Sequence, residues 1–576
     1  MSLIIDAPPT ASITSAEKDW QEVIVEDTSC LVKLETWRSG TDGKDQQVLS
    51  NLNLIKKYFA GKMEQFNKDK TQQMQMRSFE WEINDKEYWV FGFRAGVGSR
   101  KLSLICHLDT VPPGNYEWQP FVPRTEIRLY KGVPTPFLIG RGAIDDKGPA
   151  VVAFEAFTRA LRKTSEYPQA LDKVTLEVLF DTSEETDMST PKYFGANPEE
   201  KPALGIVFDA FWSVRAEKGI ERPIFTISSK DVPTPQTTAL SIGKLLTTPG
   251  PANMIPVTSE AHITGTKESL KTFAANVDAW YRAYPFDDLN YHPADISVTP
   301  PDDSEVVVIT AKVAGAQHGS APHQNRANGA NPVVSITNFL AYLVDRGILA
   351  NNHNGEMCRF IRWAFGTRVF GENQPDLLSR FDTVFGEENG TTYALTQLIP
   401  NVDGTEIKLG IDIRYAIGHH GKGWDGSEGT IEGESVFKTV FEKLIERYQS
   451  EAVGANVTFH TETTTIFGPD IRSPRNANLF SINTAYRSAM GDNCPMQTIG
   501  GATDAHGWLE LVTAGALFTD NLGPPVNYHG LDEGAPLTDL ENSGKILLHL
   551  LLQELGIPVK KQSHYEGIHQ GHGCCI

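Results

Sequence analysis

Gly140-Arg141-Gly142-Ala143-Ile144-Asp145-Asp146-Lys147-Gly148-Pro149 stands between an apolar run, 136–139, and a segment in which Val151, Val152, Phe154, Phe157 and Leu161 recur at helical spacing. Its glycines permit tight turns and close backbone approach. Pro149 suits the first turn of a helix. The stretch reads as strand, glycine-rich loop and helix, which places Asp145 at the carboxyl end of a strand, where α/β sheets gather their sites. A carboxylate held in such a loop can offer one oxygen to each of two metal ions. The alternative is capping of a 149–162 helix by Asp145 or Asp146. Capping accounts for one Asp but not for the long glycine-rich run before it.

Working outward, other strand ends carry similar residues. Residues 102–106 end at His107-Leu108-Asp109, and residues two apart on a strand share a face. A metal-ligating histidine commonly donates its second ring N–H to a carboxylate, which fixes the tautomer. Taken alone, His-x-Asp reads as a surface or structural pair. Residues 174–180 alternate in period two and end just before Ser183-Glu184-Glu185. Adjacent carboxylates repel, so a functional pair divides its roles: one ligates metal and the other serves as general acid or base. Residues 205–208 end at Asp209, ahead of Glu217-Lys218-Gly219, and His529 lies in Asn527-Tyr528-His529-Gly530. Singly, Asp209 reads as a turn residue and His529 as a loop histidine.

Strands alternating with helices predict an α/β sheet. Helices are predicted near 29–37 and 46–58. From about 245 the pattern restarts, with helices at 267–283, 331–344 and 435–448 and strands at 305–313, 408–415 and 457–466. An apolar helix is predicted at 508–512 and a final one at 539–555. The simplest architecture is a catalytic domain of two segments, 1–245 and 466–576, with a second α+β domain, 246–465, inserted between them.

The chain has 576 residues, 40% hydrophobic and 22% charged, enough for a substantial core. Its formal net charge of −20 repels phosphate backbones and anionic lipid, so no nucleic-acid or membrane partner is expected. No apolar run approaches the ~20 residues of a membrane helix, and the N-terminus does not read as a secretory signal. Cys30, Cys106, Cys358, Cys494, Cys574 and Cys575 are too scattered for a disulfide framework. A cytoplasmic location is expected. The tail, with His564, His569, His572, Cys574 and Cys575, reads as disordered, and its Gly-Cys-Cys-Ile end does not fit a prenylation signal.

Taken in order, these motifs resemble the dinuclear zinc peptidase and aminoacylase family that includes carnosinase, succinyl-diaminopimelate desuccinylase and the bacterial dipeptidase PepV. The resemblance spans about 100 to 534 and is strongest to the dipeptidase branch. Gly-Arg-Gly-x-x-Asp-Asp-Lys-Gly-Pro and the Glu-Lys-Gly after Asp209 are characteristic there. It implies an α/β zinc-peptidase catalytic domain with an inserted lid domain. It implies two Zn²⁺ per chain, with Mn²⁺ or Co²⁺ as substitutes: one on His107 and Asp209, the other on Glu185 and His529, and Asp145 bridging both. Asp109 would orient His107, and Glu184 would be the general base. His318, in Gln317-His318-Gly319-Ser320, resembles the lid histidine that stabilises the oxyanion. Asn253 resembles a substrate-contacting asparagine and Arg414 the arginine that grips the substrate carboxylate. Gly501, in Gly500-Gly501-Ala502-Thr503, matches a turn whose amides meet a carboxylate.

The chain departs from the family at Ser183, where an Asp is usual, at Ala502, where a third glycine is common, and in the longer segment from His323 to Asn328. The implied function is metal-dependent hydrolysis of the amide bond of dipeptides or similar small carboxylate-bearing substrates. The alternatives are an aminoacylase-like amidohydrolase, a tailoring enzyme of a specialised metabolite, and a non-catalytic metal-binding relative. The implied assembly is a monomer or a homodimer, with His318 serving its own chain or a partner.

Overall fold

The computed structural model describes residues 18–39, 42–83, 88–209, 211–233, 239–299, 306–313, 317–320, 331–387, 389–416, 435–451, 457–519 and 522–559. The segment from His323 to Asn328 and the tail residues His564, His569, His572, Cys574 and Cys575 lie outside the described residues.

The alternating run that ends before Glu184 is the strand Val174–Asp181, buried at every position. Leu176, Val178 and Phe180 enter one core, and Leu179 enters another on the opposite face. Both faces of the strand are covered, and its buried Glu177 is matched by the Ser103 hydroxyl and Arg94. It lies in a six-stranded sheet ordered Arg77–Ile83, Tyr88–Ala95, Val174–Asp181, Arg100–His107, Leu204–Val207, Leu511–Thr513. The last four strands run parallel. Helices Trp20–Val32, Lys147–Lys163 and Leu537–Glu554 pack on one face, and Ser189–Ala196 covers the other. His107 pairs in register with Asp181. The parallel register therefore delivers His107, the 183–185 turn and Asp209 to one edge of the sheet.

The main core takes residues up to Val214 and resumes at Leu479. The intervening chain builds a second core from Phe225 to Val457. Two antiparallel four-stranded sheets frame it. One is Leu240–Thr247, Thr258–Gly265, Val306–Lys312, Asp295–Thr299; the other is Thr392–Pro400, Glu406–Tyr415, Gly219–Ser228, His460–Phe467. Helices Lys267–Arg282, Pro332–Asp345 and His353–Ala364 complete it.

The packing departs from the sequence reading in four places. Phe225, Ile227, Leu240, Ile242 and Leu245 belong to the second core, so packing divides the chain near 218 and not at 245. Gly219 marks the crossing, since a Cβ there would lie 2.3 Å from the Tyr415 ring. The helix read at 29–37 lies earlier, at Trp20–Val32, with Asp19 accepting from Gln21 N at its start. The helix read at 508–512 is instead the strand Leu511–Thr513, and helices Ala477–Met490 and His353–Ala364 were not anticipated. Among the described residues, Cys30, Cys106, Cys358 and Cys494 are free thiols, and no helix is long and apolar enough to cross a membrane.

Candidate metal centre

Asp145 stands between two histidines. Its Oδ1 lies 2.8 Å from His107 Nε2 and its Oδ2 2.5 Å from His529 Nε2. Glu185 Oε1 lies 3.2 Å from the same His529 nitrogen. His107 Nδ1 faces the Asp109 carbonyl oxygen at 3.2 Å. That oxygen only accepts, so the ring proton belongs on Nδ1 and Nε2 turns a lone pair toward Asp145. Asp145 Oδ2 and Glu185 Oε1 are buried, and apart from their approach to His529 Nε2 neither has a hydrogen-bond partner. His107, Asp145 and Glu185 thus bring ligand-type atoms together at a spacing that could hold a metal ion. Oxygen and imidazole donors around one buried point suit Zn²⁺, Mn²⁺ or Co²⁺.

The electrostatics agree. Burial raises Glu185 to about 7, with His529 opposing and Asp145 adding to the rise. Burial pushes Glu184 well above the usual carboxylate range against His107, and raises Asp209 together with Asp145. Burial works against a proton on His529, yet Glu185 and Asp145 hold its pKa at about 10. Against burial, the two histidines pull Asp145 down, while burial pushes Glu184, Glu185 and Asp209 up, the pattern of a buried pocket crowded with carboxylates. Glu184 and Asp209 line the same cavity as Asp145, Glu185 and His529, and Tyr528 OH donates to Asp209 Oδ1 at 2.7 Å.

Hydrogen bonds hold these groups in place. The Asp109 carboxylate accepts the backbone N–H of Glu184 at 3.0 Å and of Glu185 at 3.1 Å. Asp109 thus fixes the Glu pair as well as His107. Asp146 does not cap its helix; its Oδ2 accepts the His107 N–H at 3.0 Å. Asp181, just before this turn, accepts from Ser183 N at 2.7 Å and Thr190 Oγ1 at 2.8 Å. Gly142 has φ +85°, and a Cβ on Gly148 would sit 2.1 Å from the Ala143 carbonyl. Those two positions demand glycine.

The sequence reading missed a clamp between the two halves of the site. Arg141 forms a fully buried ion pair with Glu533, and its Nη2 donates to the carbonyls of His529 at 3.1 Å and Gly530 at 3.0 Å. Glu533 Oε1 accepts the Gly142 N–H at 2.8 Å. His529 has φ +60°, a left-handed conformation uncommon outside glycine, and this clamp holds its carbonyl. Glu533→Gln leaves the guanidinium buried without its counter-charge. It should cost about 3–5 kcal/mol of stability and about 10–100-fold in metal affinity. Denaturant unfolding and metal titration check both; unchanged values would show that the clamp does not position His529.

The model of "Peptidase family M20/M25/M40" matches residues 104–553. The chain belongs to this peptidase family. A Staphylococcus saprophyticus protein whose name assigns it provisionally as a dipeptidase is 27% identical over 459 residues, covering 76% of this chain and 80% of the relative. A Staphylococcus epidermidis protein named likewise is 27% identical over 442 residues with the same shares. Among solved structures, human carnosine dipeptidase 1 matches with a TM-score of 0.51 at 12% identity, over 93% of this chain and 97% of that one. The dipeptidase Dug1p from Saccharomyces cerevisiae gives 0.50 at 12%, over 94% and 98%. These two likenesses show the mixed α/β fold.

In this M20 metallopeptidase the second domain forms the opposite wall of a cavity of about 1330 Å³ that contains Asp145, Glu184 and His529. The strand pairs Met254↔His318 and Ile255↔Gln317 bring Asn253 and His318 to it. The ring centroids of His318 and His529 are 5.5 Å apart, so His318 reaches the centre of its own chain. Ser320 N–H donates to His318 Nδ1 at 3.1 Å, which leaves the proton of a neutral ring on Nε2. Burial and the nearby Arg414 keep that ring neutral by lowering its pKa well below the usual value. The Asn253 side-chain amide approaches His529 Nδ1 at 3.5 Å, so it meets a candidate ligand as well as the cavity. Arg414 is held by Asp412 Oδ2 at 2.6 Å and the Gly500 carbonyl at 3.0 Å, and Gly501 lines the cavity beside it.

A second acidic group, Glu217, Asp470 and His506, also has ligand spacing. Its charges are already matched. Glu217 accepts from the Thr503 and Thr513 hydroxyls, both at 2.9 Å, and from His506 at 2.9 Å. Asp470 pairs with Arg472 at 2.9 Å. It is a hydrogen-bonded knot under the Gly500-Gly501 turn.

Proposed function

We propose that the chain hydrolyses the amide bond of dipeptides bearing a free carboxylate, with two divalent ions, Zn²⁺ by preference, at the five residues His107, Asp145, Glu185, Asp209 and His529. The observation that supports this most is Asp145, whose two buried oxygens each face a different histidine Nε2. Ions held there would supply Lewis acidity toward the scissile carbonyl and lower the pKa of a water. Glu184, on the cavity wall beside Asp145 and Glu185, accepts the proton of the attacking water and returns it to the leaving amine. His318 donates from Nε2 to the oxygen that becomes negative as the carbonyl turns tetrahedral. The Gly501 turn and Asn253 orient the substrate.

Arg414 Nε and Nη1 are occupied by protein, and Nη2, without a partner among the described residues, meets the substrate carboxylate. Arg414→Ala should lower kcat/KM for a dipeptide by about a hundredfold, as loss of a ~3 kcal/mol contact implies. The loss should be much smaller for the dipeptide amide. Equal losses on acid and amide would remove Arg414 from this role.

One chain supplies every group, so a monomer suffices. The domains 1–218 with 466–576 and 219–465 move apart to admit substrate and close to exclude water. The free thiols suit a reducing, cytoplasmic setting. The test is release of free amino acids from a dipeptide panel by zinc-loaded protein, lost on chelation and restored by added zinc. Turnover that persists without metal would reject the reading.

A further inference from the structure

We propose that Arg222 and Arg414 together form a subsite for an acidic amino acid, aspartyl or glutamyl, on the C-terminal side of the scissile amide. This rests on the amide-hydrolase reading above and names its substrate class.

The strands Gly219–Ser228 and Glu406–Tyr415 pair antiparallel, with Arg414 opposite Ile220. Arg222, two residues from Ile220, shares its face and stands diagonal to Arg414, a spacing that long side chains bridge. Ile220, Arg222 and Arg414 all line the cavity. Fully buried Asp412 sits between the arginines, taking Arg222 Nε on Oδ1 at 3.1 Å and Arg414 Nε on Oδ2 at 2.6 Å. Both guanidinium groups are thus gripped at Nε by the one carboxylate.

Among the described residues neither Nη of Arg222 has a partner, and its side chain is 28% exposed on the cavity wall. Two guanidinium groups share one carboxylate, which leaves the wall with an excess positive charge. Lys218, also on this wall, is occupied by the Gly390 carbonyl at 2.7 Å. A substrate α-carboxylate takes the open edge of Arg414. A second carboxylate, on the side chain, takes the fork of Arg222, whose planar donors match it in bidentate fashion. A role for Arg222 confined to supporting Asp412 makes a different prediction, an equal effect on every substrate.

The experiment compares kcat/KM for Ala-Glu, Ala-Gln and Ala-Ala, with N-acetylglutamate and N-acetylglutamine as a parallel arm, on wild type, Arg222→Ala and Arg222→Lys. Wild type should favour the glutamyl over the glutaminyl substrate at least tenfold. Arg222→Ala should bring that ratio near one, and Arg222→Lys should restore part of it. No preference in wild type, or equal losses on all substrates in Arg222→Ala, would overturn the subsite. Calorimetric titration of wild type with free L-glutamate and L-glutamine reads the subsite without turnover. Tenfold tighter glutamate, lost in Arg222→Ala, supports it even if no amide is cleaved, and equal affinities overturn it.

Discussion

Glu184→Gln lowers kcat by about 10²–10⁴-fold while the protein keeps its fold and two metal equivalents. The amide has the size of the carboxylate, and the turn that carries it is fixed through backbone N–H groups bonded to Asp109, which the substitution leaves intact. Only the capacity to take a proton is removed. Turnover kinetics and elemental analysis on one preparation separate the two effects. Near-wild-type turnover would mean that Glu184 is not the base. A large loss of metal would mean that the Glu pair exchanges roles, with Glu184 a ligand.

His318→Ala is expected to lower kcat by about 10²–10³-fold, the usual cost of removing one donor to a developing oxyanion. Metal content should stay at two equivalents, because His318 approaches His529 across the cavity without joining the Asp145 and Glu185 cluster. Since His318 meets its own chain's centre, mixing His318→Ala with Glu184→Gln should restore no activity. Recovery on mixing would place His318 in a partner's site. Loss of metal in His318→Ala would make it a ligand.

Much of this arrangement is legible in the chain because its signals are local. Asp145 is announced by glycines that only a tight loop requires, and the Glu pair by a strand whose alternating apolar residues run up to it. What the sequence hides depends on distant partners. Glu533 reads as one more acid in a loop until Arg141, 392 residues away, closes on it. Arg222 sits in Glu221-Arg222-Pro223, a pattern that a solvated strand edge shares, and its meaning comes from Asp412 on the neighbouring strand. The misread helix at 508–512 is a short apolar run, for which periodicity cannot separate a strand from a helix. Its parallel pairing with Leu204–Val207 decides the matter. The boundary read at 245 fails for a similar reason, because Gly219–Ser228 follows the Asp209 motif without a break yet pairs only with the second domain's strands.

The most direct test of the central claim is anomalous diffraction at the zinc edge from crystals of the zinc-loaded protein. The account predicts two peaks per chain, one between His107 and Asp209 and one between Glu185 and His529, with the Asp145 carboxylate between them. A single peak, or density at Glu217, Asp470 and His506 in place of these, would contradict it.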